Sequence, residues 1–131
     1  MLAHLTAVKA LVSPLMPVYL GDATGATVLP YALISTPGGV PGDEQAVDGI
    51  RQDIDATITI KTVATTLEGA LIAQNRVRGV LAPGGSAKSL TVSGRIAWVV
   101  LDGPPFTAVD RDVTPHVVWA MDEYHLISTP T

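Results

Sequence analysis

The sequence predicts an α+β fold, a mostly antiparallel sheet of about four to five strands packed against two helices, and three stretches carry that reading. From Ile54 to Thr62 the residues alternate, with Ile54, Ala56, Ile58 and Ile60 on one side and Asp55, Thr57, Thr59 and Lys61 on the other, the period of a half-buried β-strand. Directly after it, Leu67, Ala70, Leu71, Val77, Val80 and Leu81 recur at helical spacing, which predicts an amphipathic helix from Leu67 to about Ala82 lying on the isoleucine side of that strand. From Val113 to Ile127 runs a long extended pattern, with Val117, Trp119, Met121 and Ile127 on one face and Val118, Ala120, Tyr124 and Leu126 on the other.

The remaining elements follow in chain order. Leu2, Leu5, Val8, Val12 and Leu15 recur at three- and four-residue steps, so residues 2–13 are expected to be a helix that Pro14 stops. Pro17 to Leu20 reads as a short strand and Gly21 to Gly25 as the turn after it. Thr27 to Ser35 is apolar on both faces, which predicts a strand covered by the core on one side and by a subunit contact on the other. Pro30 lacks a ladder donor and implies an edge or a bulge there. Thr36 to Gly49 holds four glycines, two prolines and three acids without periodicity, the composition of a long flexible surface loop at about 36–49.

Thr65 stands three residues before Glu68, a capping-box spacing that starts the second helix, and Pro83-Gly84-Gly85 ends it. Gln74, Asn75, Arg76 and Arg78 fall off its apolar stripe. The segment from Pro83 to Ser89 reads as a helix cap and a turn. It is not a phosphate loop, because the Walker pattern needs glycine where Ala82 and Ala87 stand and must leave a strand rather than a helix. Gly94 to Leu101 is a strand ended by Asp102-Gly103-Pro104-Pro105, and Trp98 and Trp119, on adjacent strands, suit cross-strand packing.

Size and composition set outer bounds. A chain of 131 residues is expected to be one domain spanning 1–131. Only 15% of it is charged, 47% is hydrophobic, and the mean hydropathy is +0.37, more apolar surface than so short a chain buries alone. Part of that surface is therefore expected to be covered by copies or partners. A net charge of −4 and a pI near 5.1 oppose a grip on nucleic-acid phosphates. The absence of cysteine excludes disulfides, thiolate zinc sites and cysteine nucleophiles. His4, Thr6, Lys9, Ser13, Pro14 and Pro17 interrupt the apolar start, so neither a membrane span nor a targeting segment is expected.

Catalytic patterns are sparse. His116 and His125 are nine residues apart and fall on opposite faces of a regular strand. The pairs Asp53/Asp55 and Asp110/Asp112 lack the glycine and glutamate spacing of a calcium loop and read as solvated acids beside Arg51 and Arg111. Neither Gly-x-Ser-x-Gly nor His-Glu-x-x-His occurs. No catalytic, cofactor or metal site is expected, and the chain does not read as an enzyme.

The order of these elements, a helix, the short Val18-Tyr19 strand, Leu29-Pro30-Tyr31 opening a second strand, a polar loop, Thr57-Ile58-Thr59-Ile60 running into a long helix, and a β-rich last third, resembles the tail terminator proteins of long-tailed phages, the minor tail protein U type. The resemblance implies a non-enzymatic subunit that forms a ring with its own copies, usually a hexamer, at the head-proximal end of the tail tube. It would end polymerisation of the tail tube protein, join the head-tail connector, and let DNA pass through its lumen unread. It would act in the virion neck and assemble in the host cytoplasm. Asp43, Glu44 and Asp48 of the acidic loop, with Arg76 and Arg78 on the outer side of the second helix, are the expected contact residues. Another neck protein, such as a head-closure or connector component, fits the same features. A small-ligand enzyme using His116, His125, Asp110 and Asp112 around a pocket is the rival from a different class.

Overall fold

The structure is a computed structural model that describes residues 2–21, 28–36, 53–110 and 117–131, with the backbone alone for 103–110. Helix α1 (Leu2–Val12) is followed by strands β1 (Val18–Leu20), β2 (Tyr31–Ser35) and β3 (Ile54–Ala64), helix α2 (Leu67–Leu81), and strands β4 (Lys88–Val92), β5 (Arg95–Asp110) and β6 (Val117–Pro130). The strands form one sheet in the order β1-β2-β3-β6-β5-β4. β1 and β2 run parallel and every other neighbouring pair is antiparallel. The α+β class holds, but the sheet is mixed and six-stranded where four to five strands were expected.

Two extended segments account for the difference. Lys88–Val92 continues past the expected turn and folds back on β5 through a tight turn at Ser93-Gly94, with Gly94 at φ 74°. Five residues with a single buried apolar side chain, Leu90, are too short a pattern to announce a strand. β5 does not stop at Asp102-Gly103-Pro104-Pro105 either. Asp102 lies opposite Glu123 and Phe106 opposite Met121, so β5 takes four steps where β6 takes two, and a bulge absorbs the glycine and prolines while the ladder resumes beyond. Pro30 follows a cis peptide bond and precedes β2 rather than interrupting it, so the edge or bulge expected at Pro30 gives way to an interior strand that begins at Tyr31.

Both helices cover the same face. Leu5, Val8 and Val12 of α1 and Ala73, Val77 and Leu81 of α2 close over Ala32, Ile34, Ile58, Ile60, Ala97, Val99, Tyr124 and Leu126, all buried in one cluster. Burying side chains of this size contributes about 1.5–3 kcal/mol each, which is what holds the layers together. The alternation along β3 and β6 delivers these residues to one side. The far face carries half-buried Leu33, Trp98, Val100, Met121 and Ile127, and no described helix lies over it. There Tyr19 meets Tyr31 edge-on at 5.5 Å, and the Lys61 ammonium sits 4.3 Å from the Trp119 ring centre. The tryptophans do not pair with each other. Trp98 faces Ile127, and Trp119 lies eight residues further along β6, opposite Val63 and Ala108, about 26 Å away at ~3.3 Å per residue.

Candidate interaction surface

Helix α2 starts one residue later than its capping signal suggests. Thr66, not Thr65, is the N-cap, its Oγ1 accepting the Gly69 N–H at 3.0 Å. Glu68 thus falls at the second helical position, one short of the place from which it could close a capping box. A Cβ on Gly69 would meet Thr66 Oγ1 at 3.1 Å and Ala64 Cβ at 3.2 Å, so a glycine lets the helix start sit close on the end of β3. Ala64, Ala70 and Ala120 form the small cluster beneath.

That close approach rotates the buried stripe. Ala70, Ala73, Gln74, Val77 and Leu81 face the sheet, whereas Leu67, Leu71 and Ile72 stay 51%, 38% and 50% exposed. The expected stripe included Leu67 and Leu71 and left Gln74 out, and it is corrected on these three residues. Small residues line the nearest contact, so the leucines turn outward. They form an apolar patch on the first two turns, continued by exposed Glu68, Asn75 and Arg76. An exposed apolar patch of this kind is a candidate contact for another protein surface.

Beneath the same helix lies a polar network. Asp122 on the core face of β6 is 2% exposed, its Oδ1 accepting Gln74 Nε2 at 3.1 Å and an Arg78 Nη at 2.6 Å, and its Oδ2 accepting Arg78 Nε at 2.7 Å. The bidentate bond to Asp122 raises the Arg78 pKa above its ordinary value. Arg78 therefore belongs to an internal ion pair rather than to the outer helix face where it was expected, since its i, i+4 relation to Gln74 puts both over Asp122. Arg76 is exposed as expected. Thr62 Oγ1 lies within hydrogen-bonding range of the Ala120 and Ala70 carbonyls, at 3.3 and 3.4 Å. Burial above all, and then the Asp122 charge, push the Tyr124 phenol up from its ordinary value, and its hydroxyl has no described partner. The signal in the sequence was Asp122 itself, the one acid on the apolar face of the last strand, while nothing in the spacing named Gln74 and Arg78 as its partners.

A second buried contact joins α1 to β6. His4, 3% exposed, has Nε2 2.8 Å from Ser128 Oγ, which also accepts Arg95 Nε at 2.6 Å. Arg95 occupies one acceptor position of the Ser128 hydroxyl and His4 Nε2 shares a hydrogen bond with it, while His4 Nδ1 is buried without a described partner. Desolvation, followed by the positive N-terminus and Arg95, lowers the His4 pKa to about 4.

Of the residues of the enzymatic rival, His125 alone has a described side chain. His125 lies on the open sheet face, where its Nε2 contacts Asp55 and its Nδ1 is 4.0 Å from Asp102 Oδ2. Asp110 pairs with Val117 through the backbone. Asp112 and His116 lie outside the described residues, as do Asp43, Glu44, Asp48 and the loop expected at 36–49 beyond Thr36. Two grooves of about 310 and 300 Å³ are lined by Leu2, Leu5, Leu20 and Ile34, and by Ala7, Ala10, Leu11, Lys88, Ser89 and Thr91, respectively, without histidine or carboxylate. Among the described residues no group of three His, Cys, Asp or Glu side chains is placed to hold a metal ion, and no helix is long and apolar enough to cross a membrane. No protein-family model matches the chain, and no curated protein matches its sequence.

Proposed function

We propose that this chain is a structural subunit of a long-tailed phage neck, a tail terminator that joins its own copies in a ring, caps the tube protein and meets the head connector. The observation that carries the reading is the outward apolar patch Leu67, Leu71 and Ile72 on α2, presented beside charged Glu68 and Arg76 on a helix whose other side is already satisfied. Placed against a different surface of the next copy, such a patch makes a head-to-tail contact that closes into a ring, for which a hexamer is the expected size. The element order on which the family resemblance rests supports the same assignment. The acidic chain, with a net charge of −4, suits a conduit that DNA traverses without being held.

Leu71→Glu and Ile72→Glu are the direct test. Both positions are exposed, so each variant should unfold within about 0.5 kcal/mol of the parent while losing the ring in light scattering and native mass spectrometry. Particles assembled without the chain should carry overlong tubes in electron micrographs. Tubes of ordinary length on particles lacking only heads would reject the terminator role in favour of a connector.

A further inference from the structure

Strand β4 is one of the two outer strands of the sheet, and we infer that its edge, along which no described strand lies, together with the groove beneath α1, receives an extended segment of a partner polypeptide as a seventh strand. The two ends of the sheet are not equivalent. β1 has three residues and follows Pro17, a blunt edge, whereas β4 has five residues, no proline and no bulge. Lys88, at its start, is the only charge on it.

The hairpin register identifies which main-chain groups point away from β5. The two-residue turn Ser93-Gly94 makes Val92 and Arg95 a hydrogen-bonded pair, and alternation assigns Leu90 with Ala97 and Lys88 with Val99 to the same class. Ser89 and Thr91 therefore aim their N–H and C=O groups away from β5, where no described strand lies. Those same two residues, with Lys88, form one wall of the groove of about 300 Å³, and Ala7, Ala10 and Leu11 of α1 form the other. Two alanines on the helix leave width for a chain to lie between helix and strand.

An edge strand beside a helix with a groove between them is the geometry of peptide capture by strand addition. Main-chain bonds to Ser89 and Thr91 supply affinity, and alternate side chains of the guest meet Ala7, Ala10 and Leu11. The guest this lining fits has small or β-branched apolar residues at alternate positions. Lys88, the only charged residue of the groove, selects a guest that is acidic rather than basic at that end. The site is independent of the α2 patch and does not require the ring.

The test uses the full chain and a fluorescein-labelled peptide of sequence Asp-Val-Thr-Val-Thr-Val, with Lys-Val-Thr-Val-Thr-Val and a proline-interrupted version as controls. The acidic peptide should bind saturably, and binding should protect the Ser89 and Thr91 amides from hydrogen exchange. Ser89→Pro and Thr91→Pro remove outward donors only and should weaken binding at least tenfold with thermal unfolding unchanged. Ala10→Glu, which obstructs the groove from the helix side, should do the same should either proline disturb the hairpin. Lys88→Glu should reverse the preference between the acidic and basic peptides. No saturable binding up to millimolar peptide would overturn the inference, as would binding that both prolines and Ala10→Glu leave intact. Ser89 and Thr91 amides already protected in the free protein would overturn it too, because the edge would then be occupied by a second copy.

Discussion

The two helices are fastened to the same strand in opposite ways. On β6, Asp122 holds α2 through Arg78 and Gln74, and six residues further along the same face Ser128 holds α1 through His4. The α2 contact is an ion pair whose carboxylate has each oxygen engaged by a donor. The α1 contact is neutral, leaves His4 Nδ1 without a described partner, and sits beside the Arg95 guanidinium. A buried charge with its partners in place resists change, whereas a buried neutral imidazole is stable only while it remains neutral. The chain thus has one helix anchored by an internal ion pair and one anchored by a neutral ring that acid can loosen.

The largest effect is expected at Asp122. Asp122→Ala strips the partner from Arg78 and Gln74 and should cost about 2–3 kcal/mol, below the usual penalty for a fully buried charge because Arg78 is 27% exposed and reaches water. Urea unfolding at pH 7 measures it. The double variant Asp122→Leu/Arg78→Met should recover most of the loss, since removing both charges leaves none uncompensated. A double variant as unstable as Asp122→Ala would mean that the pair contributes more than mutual compensation.

Acid should separate the two anchors. The His4 pKa is lowered from 6.5 to about 4, so the unfolded chain binds a proton more readily than the folded one. The contribution of His4 is complete above pH 6.5 and falls as the pH drops from 6.5 towards 4, by on the order of 2 kcal/mol at pH 5. Unfolding midpoints at pH 7 and 5, above the range where ordinary carboxylates titrate, should differ in the parent and far less in His4→Asn. Hydrogen exchange should place the acid-induced opening in α1 rather than α2. Equal opening of both helices would contradict the contrast drawn here.

A smaller effect belongs to the start of α2. Thr66→Ala removes the acceptor for the Gly69 N–H and should cost about 1 kcal/mol, while Thr65→Ala should be nearly neutral. Smallest on stability is Arg76→Glu on the exposed face, where a shift within about 0.5 kcal/mol is expected. Any loss of assembly in that variant then reports on the surface alone. Reversing Arg78 at the same time would confuse the two readouts, because a glutamate there would face Asp122 across the internal pair.

The repeating patterns were legible in the sequence. β3, both helices and β6 follow from the alternation at Ile54–Ile60 and Val118–Leu126 and from apolar steps of three and four, because each of these elements buries a whole face and must declare it in every turn or pleat. β4 was not legible, since a short outer strand with one buried side chain has little pattern to declare. The continuation of β5 through Gly103-Pro104-Pro105 was not legible either, because only the partner strand determines whether such residues end a ladder or bulge from it. The rotation of α2 that exposes Leu67 and Leu71 follows from Gly69 approaching Ala64, a distance that no linear pattern encodes.

Sequence alone therefore determined which segments are helix and strand wherever burial is periodic, and it determined the α+β class, because local periodicity is a property of neighbours along the chain. Tertiary structure decided the strand order, the partners of Asp122 and His4, and which apolar residues face outward. Those outcomes depend on groups that are distant in sequence, Gln74 and Arg78 with Asp122, and His4 with Ser128, competing for the same buried space. Only packing in three dimensions sets which of them meet.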